Sequence, residues 1–505
     1  MGYEGDDDKY HRRKHTRWIS GATCSKVFIT SLFCFGVYLV ISNSYGLYVR
    51  FTNNYGKSFA KSLPQKNAWI YAKHNYHLKV IFHILTQAGY HCITSTKEPP
   101  QWDLLWAHDF PFRKEFHSSL SNLQQNQKVN KLPGTSSITL KVELARTKLK
   151  WIPTAFSIPA EETQFAHAAT KNPDQLWVQK SNNHRGIKII SAKDINTNAG
   201  STFVQEFIER PLLIDKKKFD IGIYVVYTSV NPLQVYYFHD EALFRFCTED
   251  YYPLYAANTK KYVVGDDYIP LDQMPSLKKF YNHGQMSFKS SFFSYMLEKG
   301  FDPDSMWKEI RHCITELFKA KAEEMDEAFS GHHFKQNFFE LVRVDFVVDE
   351  KGKVWLMEVN MSPNLSPDAH PVNRMMYTKV VRGALQLGNA LTNVDERYDT
   401  ILHESAARMR DITFANFKCS AAECLKCEIT ECQLCHHCLD DTMKMLLPKA
   451  FREHYNKGSY RRLLPIPLTS TGEPLIPKSQ PKGQYNDWLS SWFQKKCKED
   501  ISWCQ

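Results

Sequence analysis

The sequence lacks several features that would assign it to a familiar class. It has no internal repeat, no arginine-rich repeat and no aromatic RNP-like motif, so no motif predicts nucleic acid as a partner. Hydrophobic residues make up 43% of the chain and aromatic residues 13%, which excludes a largely disordered protein. The length of 505 residues predicts two to four domains, and the net charge of +10 favours an acidic partner.

Charged residues are absent from residues 27–49, a run of 23 residues between a basic segment and Arg50. About 20 apolar residues suffice to cross a bilayer. We therefore expect a polar, basic tail over residues 1–26, then a transmembrane anchor that makes this a single-pass membrane protein. The side of the membrane that holds the catalytic body stays open. A buried helix or a long signal-peptide core is the alternative interpretation of this run.

Strand-like and helix-like segments alternate from residue 66 to about residue 395, which predicts an α/β or α+β catalytic body. A long helix is expected over residues 304–328. The region from 396 to 505 differs in character, because six cysteines fall between residues 419 and 438. We expect it to be a separate Cys-rich C-terminal region that ends in a tail helix.

The stretch VRVDFVVDEKGKVWLMEVN, residues 342–360, joins two apolar runs through a turn. A two-residue loop at its Lys-Gly pair would place Asp345 opposite Glu358 and Arg343 opposite Asn360, all on one face of a hairpin. Two opposed carboxylates repel each other, so a cation is expected between them, and oxygen ligands of this kind suit magnesium. The alternative is a polar face open to water, on which Arg343 pairs with the acids.

The stretch LWVQKSNNHRGIKII suggests a phosphate-binding turn. It places Lys180 at the end of one strand and Gly186 at the start of the next, with a polar turn between them. Backbone N–H groups and an ammonium group in such a turn can wrap a phosphate. An ordinary surface lysine is the alternative interpretation of Lys180.

Taken together with NKLPGTSSITLKVELAR, WIPTAFSIP, QEFIERPLLIDKKKFDI, ALFRF and LMEVNMSPNL, these segments resemble the tubulin tyrosine ligase-like family, of polyglutamylase type. The resemblance covers roughly residues 66–395. It implies an ATP-grasp fold with an N-terminal tubulin tyrosine ligase-like subdomain, in which two α+β subdomains hold ATP between them. ATP and Mg²⁺ are the cofactors that it implies.

The family pattern also implies roles for individual residues. Lys180 would bind the ATP phosphates, and Gln205, Glu206 and Ile208 would form the adenine-binding hinge. Lys218 and Asp220 would line the nucleotide and ribose. The implied magnesium ligands are Asp345, Glu358 and Asn360, and the implied amino-acid-binding residues are Arg245 and Arg374. Lys218 and Arg245 are expected to be catalytic, and so is Arg343, whose role is our own hypothesis because the family usually has Gly at that position.

The implied reaction is the addition of glutamate to an acidic protein tail. A carboxylate of the acceptor becomes an acylphosphate at the expense of ATP, and the amine of free glutamate then displaces phosphate. In the family's glutamylases the acceptor is a tubulin C-terminal tail, and the positive net charge is compatible with that partner. The alternatives are a catalytically weak binding protein that keeps the fold, and a lumenal ligase that acts on another protein.

Four features of the sequence depart from the family pattern. Gly222 follows KFDI where the family usually has Arg, and Arg343 stands where the family usually has Gly. We expect that Arg343 supplies the guanidinium that Gly222 cannot; the alternative is that Arg343 occupies the metal site and weakens the enzyme. Arg374 stands where the family usually has Lys, and the turn after Lys180 is poorer in glycine than usual.

The cysteine spacing in the C-terminal region fits two kinds of cross-link. Cys424, Cys427, Cys432, Cys435 and Cys438 have spacing suited to a structural zinc ion. The region holds six cysteines, and Cys497 and Cys504 raise the number to eight, which is an even set suited to disulfides. Zinc is expected in the cytosol and disulfides in a lumen, so the sequence leaves both interpretations open.

Overall fold

The computed structural model describes residues 65–181, 188–198, 202–391, 417–429, 432–476 and 481–505. It is a mixed α/β structure in which three sheets are distinct. The strands are β1 Lys66–Tyr71, β2 Tyr90–Thr94, β3 Leu104–Ala107, β4 Lys128–Val129, β5 Ala155–Ile158, β6 Trp177–Ser181, β7 Lys188–Ile190, β8 Thr202–Glu206, β9 Leu213–Ile214, β10 Lys217–Val230, β11 Leu233–Phe238, β12 Leu243–Phe246, β13 Ile269–Pro270, β14 Glu340–Val348, β15 Val354–Asn360 and β16 Tyr460–Leu464.

Most helices pack against these sheets. The α-helices are α1 Lys79–Gln87, α2 His117–Ser121, α3 Ser136–Thr139, α4 Lys141–Arg146, α5 Glu162–Lys171, α6 Pro275–Lys278, α7 Phe288–Glu298, α8 Pro303–Glu327, α9 Arg374–Leu387, α10 Asp441–Asn456 and α11 Gln484–Glu499. The helix predicted over residues 304–328 is confirmed as α8. It begins where the Asp302 carboxylate accepts a hydrogen bond from the Ser305 amide at 3.0 Å, with Pro303 in the first turn.

The N-terminal sheet has the order β2-β1-β3-β4 and is parallel. The central sheet has the path β13-β12-β10-β11-β16, and β14 and β15 extend it from the other edge of β10. The third sheet, β5-β8-β6-β7, is antiparallel. Residues from the third sheet and the central sheet line one cleft, which is the arrangement expected for an ATP-grasp fold.

The β14–β15 hairpin has the predicted pairing at its functional end, but a different turn. Arg343 pairs with Asn360 and Asp345 with Glu358, as predicted. The predicted two-residue loop is wrong, because Val348 pairs with Val354 and the turn is one residue longer. A β-bulge between Asp345 and Phe346 compensates for the longer turn. Bulges of this kind re-aim side chains and are common beside active sites.

The Cys-rich region is cross-linked by disulfides, which corrects the zinc hypothesis. The four pairs are Cys419–Cys435, Cys424–Cys432, Cys427–Cys438 and Cys497–Cys504. One group of metal-ligand types, Cys427, His437 and Cys438, does lie within 4.8 Å, but its two sulfurs are joined in a disulfide. Zinc binds the thiolate form of cysteine, so the proposed five-cysteine zinc site does not fit this arrangement.

The C-terminal region also packs a small core of its own. Helices α10 and α11 bury Leu447, Trp492 and Phe493 together, and Trp503 closes the cluster. The ring of Trp503 stacks on His454 with ring centroids 3.8 Å apart. Strand β16 of this region pairs with β11, so the region is joined to the central sheet.

The prediction of a single-pass membrane protein is corrected here. Within the described ranges, no helix has both the length and the apolar composition needed to span a bilayer. The segment predicted as the anchor, residues 27–49, and the tail before it lie outside the described residues.

Removal of one disulfide provides a test of the cross-linking. The Cys419→Ser, Cys435→Ser variant opens a cross-link that spans 16 residues, so the free energy of unfolding should fall by about 3 kcal/mol in urea titrations. Cys92→Ser, which removes an unpaired thiol, is the matched control. One equivalent of zinc bound to the parent chain, measured by elemental analysis, would contradict the disulfide assignment.

Candidate functional site

Three neighbouring strands place charged side chains on one face of the central sheet. Asp220 of β10 pairs directly with Arg245 of β12, and Gly222 of β10 pairs with Asp345 of β14. Alternate residues of a strand point to the same face, so Asp220, Arg245 and Asp345 lie together. Arg343 shares this face because it lies two residues from Asp345.

Two arginines hold the carboxylates of this face. Arg245 donates to the two oxygens of Asp220 at 2.9 and 2.7 Å, and to Oδ2 of Asp345 at 3.0 Å. Arg343 binds Asp345 through two hydrogen bonds, Nε to Oδ1 at 2.6 Å and Nη2 to Oδ2 at 2.8 Å. Burial raises the pKa of Asp220 to about 6, against the opposing effect of Arg245. Planar two-point pairing of this kind fixes orientation as well as charge.

The opposite strand of the hairpin supplies a third carboxylate. Glu358 accepts a hydrogen bond from Asn360 at 3.0 Å and pairs with Lys141 at 3.2 Å. Burial raises the pKa of Glu358, but Lys141, Asn360 and Arg343 outweigh burial and lower it to about 2. Glu358 is therefore ionised at neutral pH and presents a fixed negative charge to the cleft.

The oxygen-bearing side chains of the hairpin fit a divalent cation. Asn360 also donates to Asp345 at 2.8 Å, so the polar ends of Asp345, Glu358 and Asn360 converge. A rotation of the Asn360 amide would turn its oxygen towards the same point. Carboxylate and amide oxygens are the donors that magnesium prefers. Since Arg343 already binds both oxygens of Asp345, a cation there would share that carboxylate with Arg343.

Gly222 leaves the space that Arg343 fills. A Cβ at position 222 would lie 2.8 Å from Cδ of Arg343 and 3.1 Å from Oδ1 of Asp345. Arg343 itself is buried, with 5% of its surface exposed. A glycine inside a strand commonly marks a close approach of another group. The departures from the family pattern at Gly222 and Arg343 are thus linked by direct contact.

Two lysines and an apolar wall form the rest of the cleft. Burial lowers the pKa of Lys180 to about 8, and nearby Lys141 adds to this effect. Lys180 donates to Oε1 of Gln205 at 2.9 Å, and Lys218 donates to the carbonyl oxygen of Tyr262 at 2.6 Å. These partners hold both ammonium groups at the cleft, where anionic phosphates would meet them.

Most of the predicted site residues line this cleft. Those that do are Lys180, Glu206, Ile208, Lys218, Asp220, Arg245, Asp345 and Glu358. Gln205 lies behind the wall, where it is buried and orients Lys180. Arg374 is exposed at the start of α9 and is not among the residues that line the cleft. Gly186 and the turn around it lie outside the described residues.

Sequence reasoning missed two contributors to the site. Lys141 begins α4 and pairs with Glu358, and Tyr262 supplies the carbonyl that holds Lys218. Lys141 falls within NKLPGTSSITLKVELAR, one of the segments that resemble the family, and this was the only sequence signal for its role. No local pattern marks Tyr262, because its contribution is made by the main chain.

Comparison with known proteins identifies clear relatives. Residues 118–397 match the tubulin-tyrosine ligase family. The chain is 38% identical over 442 residues to Probable tubulin polyglutamylase ttll-15 of Caenorhabditis elegans, which covers 85% of this chain and 84% of the relative. It is 28% identical to Tubulin polyglutamylase TTLL5 of Homo sapiens over 58% of this chain and 24% of the relative. For Tubulin polyglutamylase TTLL7 of Homo sapiens the identity is 27%, over 61% of this chain and 37% of the relative.

The contact between Gly222 and Arg343 predicts coupling between these positions. Gly222→Ala should lower the free energy of unfolding by about 1–3 kcal/mol, because the added methyl group displaces the buried Arg343 side chain. In an Arg343→Gly background the same substitution should cost far less, since the space is then free. Urea unfolding of the four members of this cycle measures the coupling. An equal penalty in both backgrounds would show that the contact does not matter.

Proposed function

The chain belongs to the tubulin-tyrosine ligase family, and from this premise we propose that it is an ATP- and magnesium-dependent ligase that adds glutamate to carboxylates of an acidic protein tail. The observation that carries the proposal is one cleft lined by three lysines, one arginine and four carboxylates. The residues concerned are Lys141, Lys180, Lys218, Arg245, Glu206, Asp220, Asp345 and Glu358. We assign the ligase body to residues 66–395 and the Cys-rich C-terminal region to residues 396–505.

The lysines and the hinge would hold the nucleotide. Lys180 and Lys218 would meet the phosphates, and the main chain at Glu206 and Ile208 would border the adenine. Asp220 would lie on the ribose side. Phosphoryl transfer needs little covalent chemistry from the protein, so positioning and charge stabilisation supply most of the rate enhancement. A magnesium ion bound by Asp345, Glu358 and Asn360 would neutralise charge that develops on the phosphates.

The substrate carboxylate would be activated as an acylphosphate, and the amine of glutamate would then displace phosphate to form the new amide bond. Arg245 lines the cleft, where its guanidinium could hold the carboxylate of the incoming amino acid. Arg374 would contribute from α9, as the family pattern implies. Three relatives carry names that describe them as tubulin polyglutamylases or probable ones, which favours tubulin tails as the acceptor.

Arg343 is proposed to supply the guanidinium that the family usually has at the position of Gly222. Its side chain passes over Gly222 and binds Asp345 at two points, so its charge is held on the same face as Arg245. In this role Arg343 orients Asp345 and neutralises its charge before the substrates bind. The competing interpretation is that Arg343 excludes the cation and leaves a weak enzyme or a nucleotide-binding protein.

The disulfides favour a second candidate for the acceptor. Four cross-links form in one chain, and disulfides persist in oxidising compartments and are rare in the cytosol. A ligase that works in an oxidising compartment would modify an acidic segment of a protein other than tubulin. The chemistry of the cleft would be the same, and only the acceptor would change.

A ligation assay tests the proposal. The purified chain is incubated with ATP, magnesium and labelled glutamate, with tubulin in one arm and a synthetic acidic peptide in the other. Asp345→Ala, Glu358→Ala should reduce incorporation by a factor on the order of 100 or more, because the predicted metal ligands are lost. Glu323→Ala, Glu327→Ala removes two exposed carboxylates from α8 and should leave incorporation unchanged.

The two arms of the assay distinguish the two candidate acceptors. Incorporation into tubulin supports the first candidate, and incorporation into the peptide alone supports the second. No incorporation in either arm, or equal incorporation by the metal-ligand variant and the parent chain, would contradict the proposed ligase.

A further inference from the structure

Asn360, one of the proposed magnesium ligands, is the last residue of β15. Within the described residues β15 pairs only with β14, so it is held on one side. The chain leaves the sheet directly after Asn360, because residues 361–370 belong to no helix or strand. Its side chain nevertheless donates to Asp345 at 2.8 Å. Contacts made by the residues just beyond the strand therefore contribute to the position of this ligand.

Two hydrogen bonds hold the residues that follow Asn360. The ammonium group of Lys131 donates to the carbonyl oxygen of Met361 at 2.6 Å, and the hydroxyl of Ser362 donates to the carbonyl oxygen of His108 at 2.5 Å. His108 directly follows β3, and Lys131 lies two residues after β4. Because β3 and β4 are parallel, both residues lie at the edge of the N-terminal sheet where the carboxyl ends of its strands meet. This edge contacts the end of β15.

A buried carboxylate fixes the ammonium group of Lys131. Lys131 is 2% exposed and pairs at 3.3 Å with Glu340, which is fully buried. The second oxygen of Glu340 accepts hydrogen bonds from the amide of Leu132 and the hydroxyl of Tyr227, both at 2.9 Å. Burial lowers the pKa of Lys131, and the charge of Glu340 opposes this shift. Since Glu340 is the first residue of β14, Lys131 joins the start of that strand to the end of β15.

The main chain that carries Lys131 is held from two sides. The Asn130 side chain accepts a hydrogen bond from the amide of Ala107 at 2.6 Å and donates to its carbonyl oxygen at 3.3 Å. The amide of Phe339 donates to the carbonyl oxygen of Val129 at 3.0 Å. The loop is thus attached both to β3 and to the segment that enters β14, which gives Lys131 a fixed base.

Lys131 supports the hairpin from the face opposite the cleft. Glu340 and Arg343 lie an odd number of positions apart on β14, so their side chains point to opposite faces of the sheet. Glu340 pairs across the strands with Tyr227, whose ring packs on Phe318 of α8 with centroids 4.9 Å apart. Lys131 does not line the described part of the cleft. It can therefore act on the reaction only through the residues that it holds.

We propose that Lys131 is a positioning residue for the magnesium site. Through its hydrogen bond to Met361 it holds the end of β15, which keeps Asn360 beside the two carboxylates of the hairpin. Loss of a group that orients a metal ligand commonly weakens metal binding by roughly 10- to 100-fold. This role rests on the proposed function, which assigns the magnesium ligands.

Calorimetric titration of the full chain with a non-hydrolysable ATP analogue tests this role. Titrations with Mn²⁺ and with a chelator measure how much the metal adds to nucleotide affinity. Lys131→Met, Glu340→Gln replaces the buried ion pair with uncharged side chains, so no unpaired charge stays buried and the variant should fold. The gain in affinity that Mn²⁺ confers should fall at least about tenfold, while the affinity in chelator should match that of the parent.

Two further variants separate positioning from a general effect on the fold. Lys449→Met, Glu453→Gln removes another buried ion pair, on α10, and should keep the full effect of Mn²⁺. In an Asn360→Ala background, the Lys131→Met, Glu340→Gln substitutions should cause little further loss, because Lys131 acts through Asn360.

The role of Lys131 is excluded if its variant keeps the full effect of Mn²⁺, if the α10 control loses that effect equally, or if the losses from the Lys131 variant and Asn360→Ala simply add. It is also excluded if Mn²⁺ adds nothing to the nucleotide affinity of the parent. Failure of the proposed ligase is a different result, namely no incorporation of glutamate by the parent chain. A selective loss of the Mn²⁺ effect would support the role of Lys131 even then.

Discussion

The ion pair between Arg343 and Asp345 is the interaction on which the candidate site depends. It is buried, it uses both oxygens of the carboxylate, and it exists because position 222 carries no side chain. The bulge that follows Asp345 keeps Glu358 and Asn360 opposite this pair despite a longer hairpin turn. A single close contact between two strands therefore fixes where the carboxylates of the hairpin point, and Arg245 then joins β12 to the same arrangement.

This ion pair also sets the charge balance of the cleft. Three carboxylates, Asp220, Asp345 and Glu358, lie within salt-bridge distance of three cations, Arg245, Arg343 and Lys141. The face is thus neutralised before any ligand binds, which limits the cost of burying its charges. A magnesium ion would offset part of the charge of a nucleoside triphosphate, and Lys180 and Lys218 of the same cleft would meet the rest. Because these side chains are already paired with one another, they can keep their positions when ligands bind and leave.

The sequence predicted the parts of the site that depend on local pairing. The strand alternation around Asp345 and Glu358 was sufficient to place both on one face, although the turn was longer than expected and a bulge restored the pairing. Lys141 could not be paired with Glu358 from the sequence, because their contact depends on how α4 packs against a distant hairpin. The cysteine spacing could not separate zinc from disulfides, since both use cysteines that lie close together along the chain and only the folded chain shows which sulfurs are joined.

An exchange of the two unusual residues tests the central claim most directly. Incorporation of labelled glutamate would be measured for the parent chain, for Arg343→Gly, and for the exchange variant Gly222→Arg, Arg343→Gly. If Arg343 supplies the guanidinium that Gly222 lacks, the single variant should lose incorporation and the exchange variant should recover most of it. Unchanged or increased incorporation in Arg343→Gly would contradict the claim and would show that Arg343 obstructs the site.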